Sequence, residues 1–181
     1  MNKGSERLRG NVYVALLTAA ATVMGIIESF IPPFFAFAPG AKVGLPNLVM
    51  LIALFTLNWQ KTWMIEVLRL LITALFTGFS IFIYSVAGGV LSLLAMYLVK
   101  QFGPRLVSLI GVSMVGGFFH NLGQLTVASI LAQTPTVMLY LPWLAAFGIL
   151  AGLVIGIGGN LLITRVAPIQ ELFNQRSKQW Q

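Results

Sequence analysis

Apolar residues in this chain fall into long runs, and the polar residues, prolines and glycines that interrupt them divide the chain into six segments. A membrane-spanning helix needs about 20 mostly apolar residues. The first run extends from about Val12 to Ile31 and stops at Pro32-Pro33, because proline cannot continue a helix. A second, short segment from about Asn47 to Leu57 ends in the polar, aromatic turn Asn58-Trp59-Gln60-Lys61. From Trp63 to Val99 the chain stays apolar for about twice a spanning length, and Thr77-Gly78-Phe79-Ser80 divides that stretch into a third and a fourth helix. After the break from Lys100 to Arg105, a fifth run goes from about Leu106 to Leu131 and ends at Gln133-Thr134-Pro135. The sixth goes from about Leu141 to Thr164. The pattern predicts an all-α integral membrane protein: one domain of six transmembrane helices, with residues 1–11 as a polar head and 165–181 as a polar tail. The first run exceeds the roughly 7–15 apolar residues of a signal peptide and no small-residue cleavage pattern follows it, so a retained helix is expected.

Composition agrees. Of 181 residues, 58% are hydrophobic and 8% charged, with a mean hydropathy of +0.92, against about 45–50% apolar and about 25% charged in soluble domains. A soluble fold of this size leaves much of its chain exposed, so a water-soluble enzyme is excluded, as is a disordered chain. The net charge of +7 suggests nucleic acid, but the placement of the charges gives a different meaning. Six spans put both termini on one side, and there lie Lys3, Arg7, Arg9, Lys61, Lys100, Arg105, Arg165, Arg176 and Lys178. Lys42 alone falls opposite, and Arg69 falls within a span. Cytoplasmic loops collect Lys and Arg, so both termini are expected in the cytoplasm. Trp59, Trp63 and Trp143 fall near the expected interfaces.

Helices in lipid approach closely through small residues. The sixth segment carries Gly148, Gly152 and Gly156 at a spacing of four, followed by Gly158 and Gly159; the fourth has Gly88-Gly89 and the fifth Gly111, Gly116 and Gly117. Packing within the bundle is the plain reading of these ridges. Ala15 and Ala19 form a similar pair on the first helix, which could pack internally or dock a partner membrane protein.

Polar side chains at membrane depth face partners or a cavity. Arg69 sits two turns into the third helix with Glu66 one turn earlier, close enough for a local ion pair. Alternatively Arg69 holds an anionic substrate, or a carboxylate such as Glu28 near the outer end of the first helix. In the fifth, His120, Asn121 and Gln124 crowd into one turn, either as interhelical hydrogen bonds or as the lining of a ligand cavity. One His without Asp or Cys offers too few ligands for a metal, and no cofactor is expected. The segment PGAKVGLPN, with Gly40, Lys42, Gly44 and Pro46 and with Phe34, Phe35 and Phe37 upstream, could lie over such a cavity or rest as an ordinary interfacial loop.

The segments PGAKVGLPN, the Arg69 helix, YSVAGGVLSLLAMYL and HNLGQL, in this order, resemble the bacterial Gx transporter family, often labelled heptaprenyl diphosphate synthase component I. The resemblance covers roughly Leu16 to Thr164, with Pro46 where the family has Ala and Val43 where it has Leu. That family is similar to the substrate-binding S components of energy-coupling factor (ECF) transporters. The similarity implies a six-helix bundle with cytoplasmic termini in the bacterial cell membrane and an outer cavity covered by the loop after the first helix. It also implies an Ala-x-x-x-Ala face, here Ala15 and Ala19, that meets a transmembrane coupling subunit served by two ATPase subunits. The candidate substrate-binding set is Glu28, Lys42, Asn47, Arg69, Tyr84, His120, Asn121 and Gln124.

The chain has no phosphate loop of its own, so ATP would be used by partners. Prenyl synthases hold magnesium diphosphate through Asp-rich motifs, and this chain has no Asp; its acids are Glu6, Glu28, Glu66 and Glu171. Catalysis is therefore not expected. The expected function is uptake of a vitamin-like or cofactor-precursor molecule: a flavin, a quinone precursor or an isoprenoid phosphate would each suit. A non-catalytic accessory subunit in isoprenoid or menaquinone metabolism is the alternative. A self-contained carrier or channel is disfavoured by the scarcity of midplane acids.

Overall fold

The computed structural model describes residues 3–31, 43–166, 169 and 171–174. Among them the secondary structure is all helical: α1 (Lys3–Phe30), α2 (Pro46–Thr56), α3 (Trp59–Thr77), α4 (Phe79–Lys100), a single turn α5 (Gly103–Leu106), α6 (Leu109–Leu131) and α7 (Leu141–Arg165), with a 3-10 turn at Pro135–Tyr140 before α7. The segment 32–42, with Phe34, Phe35, Phe37, Gly40 and Lys42, lies outside the described residues, as do Arg176 and Lys178.

Local chemistry sets the boundaries. Gly78, at a φ of +82°, both ends α3 and begins α4, a conformation that side chains disfavour. Asn58 starts α3 earlier than the apolar run suggests, because its side chain accepts a hydrogen bond from the Lys61 N–H at 3.0 Å. Ser108 does the same for α6 at Gly111, 3.0 Å, so Leu106, read as the start of the fifth helix, belongs to α5 instead. α1 extends well before Val12, through most of the polar head. Part of the tail is also built in, since Ile169 and Phe173 pack on the core and the Phe173 ring lies 6.2 Å from that of Phe55.

The long helices alternate in direction. On α6 and α7, Gly117 faces Gly148, Ser113 faces Gly152 and Ile110 faces Gly156, with a Cβ at Gly148 falling 2.5 Å from the Gly117 carbonyl oxygen. The glycine ridge is therefore an internal seam that brings two backbones together. α4 packs on the other side of α6, α1 runs beside α3, and α2 lies among α1, α3, α4, α6 and α7. With this alternation, Gly10 and Lys61 meet at one end of the bundle, where Lys100 and the last turn of α2 also lie.

α2 has 11 residues, about 16 Å at 1.5 Å per residue, half the hydrocarbon thickness. Its apolar residues from Val49 to Phe55 are buried on every side, so it is the core of the bundle rather than part of its wall. The outer surface is apolar too: Leu16, Val23 and Ile27 of α1, Leu71, Leu75 and Phe76 of α3, and Trp143, Leu150 and Val154 of α7 are exposed. Conversely, Glu28, Glu66, Arg69, His120, Asn121 and Gln124 are buried. An apolar exterior with the polar groups held inside suits lipid and not water. Three stretches, Leu8–Phe30, Phe79–Lys100 and Pro135–Arg165, are long and apolar enough to cross a membrane. α3 and α6 carry the interior polar residues, which lowers their apolar character without exposing charge to lipid.

Candidate binding site

In the half of the bundle away from Lys61 and Lys100, polar side chains from α1, α2, α3 and α6 meet near the first turn of α2 and against the glycines of α4. Glu28, near the end of α1, turns inward: its Oε1 accepts hydrogen bonds from the Gly44 N–H and from the Leu45 N–H at 3.1 Å. These N–H groups precede Pro46, the first residue of α2, so the carboxylate caps that helix at the positive end of its dipole. Gly44 has a φ of +85°, and a Cβ there would stand 2.8 Å from Asn47 Nδ2 and 3.3 Å from the His120 ring. The positive φ favours glycine, and any Cβ would also push the Asn47 and His120 side chains aside.

His120 and Gln124, one turn apart on α6, are joined at 3.0 Å between Nε2 of each. They rest against Gly88 of α4, where a Cβ would come within 2.9 Å of the imidazole and 3.0 Å of the Gln124 side chain. The next residue, Gly89, makes room for a different pair: a Cβ there would collide with Glu66 Oε1 and Arg69 Nη2. Arg69 binds Glu66 in a bidentate fork, Nε to Oε2 at 2.7 Å and Nη2 to Oε1 at 2.5 Å, with both side chains buried. Arg69 therefore pairs with Glu66, and Glu28 serves α2. Thr73, one turn after Arg69, is buried beside Gly25 and Pro46, and among the described residues neither its Oγ1 nor Asn47 Nδ2 has a hydrogen-bond partner.

Of the residues read as a substrate-binding set, Glu28, Asn47, His120 and Gln124 come together around Gly44 and Gly88. Arg69 lies against the neighbouring Gly89, and Tyr84 is buried one turn before Gly88. Asn121 takes a different direction, its Nδ2 donating to the Leu144 carbonyl of α7 at 2.7 Å, so it ties α6 to α7. Lys42 lies outside the described residues. Ala15 and Ala19 are exposed on the outer face of α1, between Val12 and Val23. Sequence reasoning missed the Gly88-Gly89 pair as a seat for polar side chains, and Thr73 altogether. Two adjacent glycines inside an apolar helix were the available signal, since one helix turns them towards different neighbours. Among the described residues, no group of three or more His, Asp or Glu side chains could hold a metal.

The far end of α2 is also held by charge. Lys100 Nζ donates to the Leu54 carbonyl at 2.7 Å and lies 4.8 Å from the centre of the Phe55 ring. Carboxylate at the start and ammonium at the end both complement the helix dipole.

The order of these segments along the chain matches one known family. The family model for heptaprenyl diphosphate synthase component I matches residues 17–162. The chain belongs to this family. The match takes in Glu28, Asn47, Glu66, Arg69, Gly88, Gly89, His120 and Gln124, and with them both polar clusters. No curated protein and no solved structure matches the chain.

Proposed function

We propose that this protein is the membrane-embedded substrate-binding component of an ECF-type importer in the bacterial cell membrane, taking up a vitamin-like or cofactor-precursor molecule. In this reading α1, α2, α3, α4, α6 and α7 are the six spans, with α2 short and central, and both termini are cytoplasmic. The grouping of Lys61 and Lys100 at one end of an alternating bundle supports that orientation. The observation that carries the reading is the meeting of Glu28, Asn47, His120 and Gln124 around Gly44 and Gly88 at the opposite end. Buried polar groups from several helices, gathered beside a glycine-bearing loop end, form a recognition site for a small molecule.

The protein itself is not an enzyme in this account. ATP hydrolysis belongs to two partner ATPase subunits, and a transmembrane coupling subunit meets α1 at Ala15 and Ala19. That face is exposed and combines small residues with Val12, Leu16 and Val23, the surface a close helix–helix contact needs. The family's name favours a second reading, a non-catalytic membrane subunit of a prenyl diphosphate synthase. The two separate on Ala15→Trp and Ala19→Trp. In the import reading these variants abolish uptake by the assembled transporter and leave ligand binding to the isolated protein intact. Unchanged uptake would refute the assigned docking face.

A further inference from the structure

The buried charges near α2 are all matched among the described residues. The Glu28 carboxylate holds the Gly44 and Leu45 N–H groups, and the next free N–H groups of α2 are used as well, Asn47 to the Gly44 carbonyl at 2.8 Å and Leu48 to that of Leu45 at 3.1 Å. A helix N-terminus is an anion seat, but this one is taken by a carboxylate of the protein. Arg69, the one buried cation of the cluster among the described residues, is taken by Glu66. Among the described residues, two uncharged side chains beside the first turn of α2 stay open. Asn47 and Thr73 are each 4% exposed, and among the described residues Asn47 Nδ2 and Thr73 Oγ1 are without a partner. Both flank the first turn of α2, the one beside Gly44 and His120, the other beside Gly25 and Pro46. A buried donor kept without a partner is costly, and more so where lipid surrounds the bundle.

We infer that the molecule bound here is uncharged in its buried part, offering a carbonyl-type acceptor to Asn47 Nδ2 and a hydrogen-bonding group to Thr73, and that phosphate- or diphosphate-bearing compounds are excluded. An anion seated on the α2 N-terminus or on Arg69 would have to displace the Glu28 carboxylate or break the Glu66–Arg69 fork, and would meet an unpaired buried charge in either case. This rests on the binding-component reading and narrows its substrate class: of a flavin, a quinone precursor and an isoprenoid phosphate, the last is ruled out.

The test uses the purified full-length protein and a bacterial small-molecule extract split on an anion-exchange resin into an unretained neutral fraction and an anionic eluate. Inorganic pyrophosphate serves as a defined anion. The neutral fraction should raise the thermal midpoint by about 2 °C or more, and the eluate and pyrophosphate should not. Asn47→Leu and Thr73→Val should each abolish the shift. Their unliganded midpoints should equal or exceed that of the unmodified protein, because each removes a buried polar atom that lacks a partner. Stabilisation by the eluate or pyrophosphate would overturn the inference and leave the binding reading standing. So would a neutral-fraction shift that survives in both variants, or a lower unliganded midpoint in both. Stabilisation by no fraction would count against the binding reading itself.

Discussion

Removing one member of the Glu66–Arg69 pair should cost far more than removing both. Arg69 donates to Glu66 at 2.7 and 2.5 Å, and the two side chains are 4% and 0% exposed. Neither charge has water to fall back on. Leaving a buried charge without its partner costs about 3–5 kcal/mol, while exchanging the whole pair for apolar side chains of similar volume is often near neutral. Arg69→Met and Glu66→Leu should therefore each destabilise the bundle by about 3–5 kcal/mol, and the double variant by no more than about 2 kcal/mol. The coupling between the two sites would then be at least about 4 kcal/mol, well outside the few tenths by which independent sites depart from additivity. Equilibrium unfolding of the purified protein in mixed micelles with increasing SDS measures all four corners of the cycle. Additive single effects, or an Arg69→Met loss below about 1 kcal/mol, would refute the pairing.

The α6–α7 seam makes a steric prediction. Gly148→Val should lower stability by at least about 2 kcal/mol, since even a Cβ there stands 2.5 Å from the Gly117 carbonyl oxygen; Gly78→Val, where a Cβ meets nothing within 4 Å, separates backbone strain from collision and should cost less in the same unfolding assay. Lys100→Met should destabilise by about 1–3 kcal/mol through the lost charge-assisted bond to the Leu54 carbonyl, and hydrogen exchange should rise first in the last turn of α2. Exchange that rises uniformly along the chain would contradict a local role for Lys100.

Much of this architecture can be read from the chain because lipid leaves the backbone few choices. Long apolar runs must become helices, and the break at Gly78 falls between two of them. The ends were less legible, because caps such as Asn58 and Ser108 lie outside the apolar runs and extend or shorten a helix through one hydrogen bond. α2 reads in sequence like a short span, and only its neighbours reveal that it is surrounded. Spacing along one helix exposed the Glu66–Arg69 pair and the His120–Gln124 turn. It could not say that Glu28 would cap α2, a contact made 16 and 17 residues away along the chain. Nor could it tell that Asn121, next to His120, would turn to α7, since a helix points adjacent residues about 100° apart.

The cluster around Gly44 and Gly88 is proposed to hold a small molecule. Mass spectrometry of the compounds that co-purify with the detergent-solubilised protein tests it most directly. A near-stoichiometric cofactor-like compound should be retained by the native protein and lost on His120→Ala. Lipid alone in both preparations, with a soluble prenyl synthase co-purifying in its place, would contradict it.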